Sequence, residues 1–426
     1  MSDAGRLDQE HLWHPFTQMK EWCDPAQPPL VIDRGEGAWL FDEQGRRYLD
    51  GNSSIWTNLH GHRHPRIDAA IREQLGRMAH VSFLGLTHAP AAELAARLVG
   101  LFPSGTLSRV FLSDDGSTAM ECALKMALQH WQLRGEKKRT RFVTFHHAYH
   151  GDTLGAASLG GIGAFAGGYE GRGLPVHRLA TAAELAEVDG SEIAAVVLEP
   201  LVQGAAGIRT WPEGMLRELR SWCDQCGTLL LLDEVLTGFG RTGTMFACEQ
   251  EGVTPDLMAV AKGLTGGYLP LAATLATEEI FESFLGGYDQ TFFYGHSYTG
   301  NALGCAAALA SLDIFEDEIV LPGLAPRIEA IARGLASLSV DRPCVGEIRQ
   351  CGMIAGFDLH APDGAELDWK LLSGAKLCGI ARKHGLLTRS VRDVIVFMPP
   401  LCTSEDDIAF GIEALGRALD EWVDQA

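Results

Sequence analysis

Between about residues 56 and 310, stretches in which apolar residues return every three or four positions alternate with short, almost wholly apolar runs. The runs occupy 108–113, 141–145, 193–198, 228–233 and 257–261, with 272–276 a further candidate. A strand covered by helices on both faces has no side to leave polar, so these runs predict buried parallel strands in an α/β layer structure. After the first run, Met120, Ala123, Leu124, Ala127, Leu128 and Trp131 fall on one helical face. From about 321 the rhythm changes. Amphipathic helices at 321–338, 368–384 and 405–423 flank short strands at 347–358 and 393–398, and Ser404 with Asp407 gives a capping signal for the last helix. Residues 39–51, WLFDEQGRRYLDG, have hairpin character. The pattern predicts a large domain over 56–320 and a smaller α+β domain built from both chain ends, 1–55 and 321–426. Eight glycines crowd 155–173, which reads equally as a mobile loop near a site or as a plain connector.

Composition narrows the function classes. Of 426 residues 46% are apolar and 21% charged, a globular mix that excludes a disordered tail, a disulfide miniprotein and a coiled coil. Thirty-five basic against 55 acidic residues give a net charge of −20, which argues against nucleic-acid or anionic-membrane partners. No apolar run approaches the roughly 18 residues of a membrane span, and the N-terminus lacks an apolar signal region. The ten cysteines are scattered; Cys223 and Cys226 sit in a helical pattern closed by Gly227 and read as a buried helix end rather than a redox or zinc site. Unpaired thiols without a secretion signal predict a cytoplasmic protein.

Candidate chemistry lies at the carboxyl ends of the strands, where parallel α/β sheets collect ligands. The run 228–232 leads into Asp233-Glu234, and 257–261 leads into Lys262. The first run ends in Ser113-Asp114-Asp115-Gly116-Ser117 and passes directly into a helix; the others end in Glu199 and in His146-His147-Ala148-Tyr149-His150-Gly151-Asp152. A helix N-terminus suits a phosphate. A lysine in a partly apolar pocket loses its proton and attacks a carbonyl. An aspartate at a strand end holds a pyridine nitrogen protonated. Phosphate, aldehyde and pyridinium together describe pyridoxal phosphate, with Tyr149 placed to pack on its ring. The bland alternatives are an ion pair and an ordinary N-cap. A metal hydrolase is the rival class, raised by His60, His62 and His64 in alternation and by His146, His147 and His150 near Asp152. Neither cluster has the helical spacing of a zinc protease, and no metal is expected.

LLLLDEVLTGFGRTGTMFACE (229–249) and PDLMAVAKGLTGGYLPLAATLAT (255–277), with 29 residues from Asp233 to Lys262, resemble the class III, fold-type-I pyridoxal-phosphate aminotransferases. HLWHPFTQMK (11–20) and DGNSSIWTNLHGHRHP (50–65) resemble, within them, the 7,8-diaminopelargonate synthases of biotin biosynthesis. The resemblance implies a mostly parallel seven-stranded sheet in the large domain. It also implies transamination of 8-amino-7-oxononanoate to 7,8-diaminononanoate by a homodimer. Lys262 would carry the cofactor and move the proton, Asp233 would pair with the pyridine nitrogen, and Tyr149 would lie against ring and substrate. Gly116 and Ser117 would hold the phosphate. In YGHSYTGN (294–301), His296 and Ser297 would complete the partner subunit's phosphate site, with Gly295 lining its substrate pocket. Arg389 would bind the substrate carboxylate, and Phe16, Ile55 and Trp56 would wall an aliphatic slot. Where many relatives carry two tryptophans, a tyrosine, HGPT and a further aromatic, this chain has Ile55-Trp56, Phe16, YGHS and Val396. The amino donor therefore stays open between S-adenosylmethionine and lysine, with the departures leaning to lysine. Asp115 stands where the family usually has serine and is expected to turn away or cap backbone amides. Aminotransferases of ω-amino acids or ornithine share the Asp233–Lys262 core and are the alternative reading.

Overall fold

The computed structural model describes residues 2–166 and 171–425. Strands β1 (Ile32–Glu36), β2 (Trp39–Asp42) and β3 (Arg47–Asp50) form an antiparallel meander, in which the expected hairpin pairs Trp39 with Leu49 and Phe41 with Arg47. The central sheet follows: β4 (Leu107–Ser113), β5 (Arg141–Phe145), β6 (Val176–Leu179) and β7 (Ile193–Leu198) come first. A two-stranded ribbon of β8 (Val202–Gln203) and β9 (Arg209–Thr210) precedes β10 (Leu229–Asp233), β11 (Leu257–Val260) and β12 (Ala272–Thr277). The seven strands lie in the order β4-β12-β11-β10-β7-β5-β6.

Alternation explains why the strands read as unbroken apolar runs. Leu230, Leu232, Val196, Leu198, Met258 and Val260 point into one hydrophobic cluster. Their chain neighbours Leu229, Leu231, Ala195, Val197, Leu257 and Ala259 point into the other, against helix Gly116–Leu133. That helix buries Met120, Ala123, Leu124, Ala127 and Trp131, whereas Leu128 is only partly covered.

The run 272–276 departs from the parallel expectation: β12 is antiparallel to both β11 and β4. The reason is its connection. A parallel neighbour needs a crossover, usually helical, whereas no helix intervenes between β11 and β12, so the chain simply returns. Edge strand β6 was not expected; it supplies one row of backbone hydrogen bonds to β5 after the glycine-rich stretch. Of that stretch, residues 167–170 lie outside the described residues.

Beyond the central sheet, β13 (Val345–Cys351) and β14 (Ile354–Leu359) resolve the expected 347–358 strand into a hairpin. Then β15 (Leu386–Leu387), β16 (Ser390–Val391) and β17 (Val394–Phe397) follow, with β14, β17 and β16 side by side. Helices Leu324–Leu338, Ser373–Lys383 and Glu405–Gln425 cover this part. The Ser404 hydroxyl accepts from the Asp407 amide at 3.1 Å, as its capping signal implied. The pairing of β15 with β3 joins the C-terminal and N-terminal segments in one sheet. Among the described residues no helix is long and apolar enough to cross a membrane.

Candidate active site

Because β4, β5, β7, β10 and β11 run in one direction, their carboxyl ends meet on one edge of the sheet. There Trp56, Gly116, Ser117, Tyr149, Asp233 and Lys262 surround a cavity of about 290 Å3. Asp233 is the last residue of β10 and buried; one carboxylate oxygen faces His150 Nδ1 at 2.7 Å and the other accepts the Val235 amide at 3.0 Å. His150 is buried as well, and its Nε2 has no partner. Burial disfavours charge on this imidazole, but the hydrogen bond to Asp233 and the negative charges of Asp233 and Glu199 together outweigh it, and the pKa is raised. Glu199, at the end of β7, accepts amides from Tyr149 at 3.0 Å and Gly204 at 3.2 Å. Burial pushes its pKa up to about 7.

Lys262 occupies the wall of this cavity with its ammonium 5.3 Å from the centre of the Trp56 ring. Enclosure by protein lowers its pKa against the opposing pull of Asp233 and Glu199. Trp56 is aimed by a strained turn. Ser53, Ser54 and Trp56 all take positive φ, held by the Ser53 hydroxyl donating to the Met398 carbonyl and the Ser54 amide donating to Asp50. The arginine of the FGRTG run, Arg241, is buried and donates to the carbonyls of Asn58 and Pro399, both at 2.8 Å. It ties the loop after β10 to the segments on either side of the site.

The opposite end of the cavity is a helix N-terminus. Asp115 is the N-cap of Gly116–Leu133, accepting the Thr118 amide at 3.0 Å, so its carboxylate is engaged in capping as expected. A Cβ on Gly116 would stand 2.6 Å from Val235, and one on Gly151, at φ +115°, would stand 2.3 Å from the Ser117 hydroxyl. Both glycines let main chain close in where side chains line the cavity. The Ser117 hydroxyl accepts the Asp152 amide at 3.1 Å, and the Tyr149 hydroxyl donates to the Asp152 carboxylate at 2.7 Å. Helix-terminal amides with a hydroxyl suit a phosphate, a half-buried lysine suits an aldehyde, and a fixed carboxylate suits a pyridine nitrogen. The site therefore fits pyridoxal phosphate.

Past Lys262 lies a slot of about 770 Å3 that shares Trp56, Tyr149, Ala205 and Lys262 with the first cavity. Phe16, Ile55 and Arg389 line it. Burial lowers the pKa of Arg389, which has no ion pair among the described residues. Val396 is buried in one cluster with Trp56.

Nine of the expected residues thus line these two chambers: Phe16, Ile55, Trp56, Gly116, Ser117, Tyr149, Asp233, Lys262 and Arg389. Gly295, His296 and Ser297 line neither; Gly295 and Ser297 are exposed, and His296 Nδ1 lies 3.4 Å from Asp114. Sequence reasoning left His150 and Glu199 without a role and did not single out Phe165, whose ring packs edge-on against Phe16 and Tyr149. A strand-end position was the available signal for Glu199. His150 followed a strand end too, but nothing local pointed to its pairing with Asp233, 83 residues away. The alternating histidines diverge: His60 bonds Ser311, His62 bonds Asp50 and His64 lies near Glu318. Cys223 and Cys226 end helix Met215–Cys226, with Gly227 in the left-handed region after them.

Comparison with known proteins gives one family. The aminotransferase class-III pattern matches residues 23–419. The adenosylmethionine-8-amino-7-oxononanoate aminotransferase of Nitratidesulfovibrio vulgaris is 51% identical over 97% of this chain and 81% of its own length. The enzyme of the same name from Geobacter sulfurreducens is 45% identical over 97% of this chain and 96% of its own. Among solved structures, that of the Methanocaldococcus jannaschii enzyme of this name superposes with a TM-score of 0.94 at 38% identity, covering 98% of each chain. An (S)-enantioselective ω-transaminase from Thermomicrobium roseum superposes at 0.93 with 34% identity, covering 99% of each. With Lys262 and Asp233 at adjoining strand ends and the family pattern spanning nearly its whole length, the chain belongs to the pyridoxal-phosphate-dependent class III aminotransferases.

Proposed function

We propose that the protein transfers an amino group to 8-amino-7-oxononanoate, yielding 7,8-diaminononanoate for biotin synthesis, with S-adenosylmethionine or lysine as donor. The observation that carries the reading is the half-buried Lys262 standing between a cavity equipped for a phosphate and a slot holding an unpaired arginine. Full-length similarity to proteins named for this reaction supports it.

When bound, pyridoxal phosphate supplies an aldehyde that accepts the amino group and a ring that withdraws electrons. The protein does the rest. Gly116 and Ser117 bind the phosphate. Asp233, oriented by His150 and the Val235 amide, fixes a proton on the pyridine nitrogen. Lys262, its ammonium weakened by enclosure, would take a proton from the carbon bearing the amino group and return it two atoms away, to the carbon on the other side of the nitrogen. Trp56 and Tyr149 wall off water. Arg389 binds the carboxylate of the acceptor by its guanidinium fork, with Phe16, Ile55 and Trp56 along the aliphatic chain.

We assign 56–320 to the cofactor domain, 1–55 with 321–426 to the small domain, and the cytoplasm as the working compartment. We further assign a homodimer in which Gly295, His296 and Ser297 serve the partner's site. Support comes from exposed Leu84, Leu86, Phe293 and Tyr298 and from a buried, unpartnered His296 Nε2.

The test is a pair of half-reactions. Lys262→Ala is expected to lose at least about a thousandfold in kcat. Arg389→Ala is expected to raise KM for the keto acid while sparing the donor half-reaction. A preference for simple amines over both proposed donors would instead favour the ω-transaminase reading, which the Thermomicrobium roseum likeness keeps in view.

A further inference from the structure

The slot beyond Lys262 carries a second guanidinium that this chemistry does not use. Ala375, Cys378 and Arg382 lie on the slot-lining face of helix Ser373–Lys383, Arg382 in its last turn. Arg389 follows the helix and lines the same slot. Each guanidinium lies near enough to Cys378, which lines the same slot, to act electrostatically on its thiol. Neither has an ion pair or side-chain hydrogen bond among the described residues. Of the nearby carboxylates, Glu43 lines a second cleft with Arg382 without forming an ion pair to it, and three others are engaged elsewhere. Asp42 accepts from Arg46 at 2.7 Å and from the Tyr48 hydroxyl at 3.0 Å. Glu421 is held by Lys383 and His384, and Asp50 by His62 and the Ser54 amide. In a chain of net charge −20, two arginines that line one slot and have no counter-ion among the described residues concentrate positive potential there. They also differ in depth: Arg382 is exposed, whereas Arg389 is partly buried.

We infer that Arg382 is a second carboxylate subsite, which captures the acceptor's carboxylate at the mouth of the slot and passes it inward to Arg389. The inference rests on the function proposed above and names a residue that sets how the acceptor enters. An exposed guanidinium acts through a screened field, so its effect falls on capture rather than on the chemical step.

The experiment compares holoenzyme carrying Arg382→Gln with wild type in both half-reactions, at low and high salt. Equilibrium binding of nonanoate, followed through the absorbance of the bound cofactor, is measured alongside. At low salt, kcat/KM for 8-amino-7-oxononanoate is expected to fall about three- to tenfold, as for loss of a steering charge. The difference should close at about 0.5 M salt, where screening is strong. The donor half-reaction and kcat should stay within about twofold, nonanoate should bind more weakly by a similar factor, and Arg382→Lys should restore most of the loss. Unchanged kcat/KM and salt slope would overturn the inference. So would a salt-independent loss, or a loss confined to the donor half-reaction, which would assign Arg382 to the donor's carboxylate or to structure. The two readings fail separately. Wild-type enzyme that binds nonanoate in an Arg382-dependent way yet leaves the keto acid untouched sinks the function and keeps the subsite. Keto-acid turnover indifferent to Arg382 does the reverse.

Discussion

Glu199 links the site to pH. Its pKa in the folded protein, about 7, lies above the 4.5 of a free glutamate, because burial penalises the anion. The folded state therefore holds an extra proton between those values. The stabilisation from that proton is complete below about pH 4.5 and lost as pH rises through about 7. Glu199→Gln removes the titration. From pH 5 to pH 8 its stability relative to wild type should improve on the order of 2–3 kcal/mol, whatever the constant offset from altered hydrogen bonds. Thermal or urea unfolding of both proteins at the two pH values checks this; a gap that does not move refutes it. Residues of this kind also mark where reading the sequence stopped. Lys262 and Asp233 were legible because each follows an apolar run, and position alone delivers them to the sheet edge. Arg389 came only through the resemblance, since no local pattern distinguishes an arginine facing a slot from one facing water. His150 acquires meaning solely from an aspartate on another strand.

At the scale of elements, the helix that begins at Gly116 does two things with one end. Its free amides face the cofactor cavity, and its cap is a carboxylate that lines the same cavity. Asp115→Ser keeps a capping oxygen and removes a negative charge from the phosphate's surroundings. Pyridoxal phosphate should then bind about three- to tenfold more tightly with stability nearly unchanged, whereas Asp115→Ala should cost about 1 kcal/mol through the lost cap. Cofactor titration and melting curves of both variants separate the two contributions. Apolar runs located five of the sheet's strands and suggested a sixth. Direction was a different matter: 272–276 reads as a mostly apolar run like the parallel strands, and only the helix-free return from β11 decides that it is antiparallel. The edge strand β6 was hidden because a strand half-covered by helices needs few apolar residues.

Across the whole molecule, surface left uncovered by one chain is the remaining clue. Leu84 is 92% exposed, and Phe293 and Tyr298, which flank the segment assigned to the partner's site, are more than half exposed. Leu84→Arg is expected to weaken self-association and, with it, retention of pyridoxal phosphate, since each site would lose the other subunit's hydroxyl. Sedimentation at several concentrations, with and without cofactor, tests this; a stable, fully loaded monomer would contradict the shared site. Bulk charge was readable from composition, but not its distribution: a chain of net charge −20 keeps two arginines of one slot without counter-ions among the described residues.

Among the described residues, the two chambers share Trp56, Tyr149, Ala205 and Lys262. The phosphate-holding helix end and Asp233 line the inner one alone, Lys262 stands at the junction, and the outer one is otherwise lined mainly by the chain's N-terminal segment and its last third. Selection can therefore reshape what such a catalyst accepts by altering Phe16, Ile55, Arg382 or Val391, none of which touches the inner chamber. Drift in substrate range and preservation of chemistry become separable evolutionary events, and an engineer seeking a new amine acceptor has the same freedom.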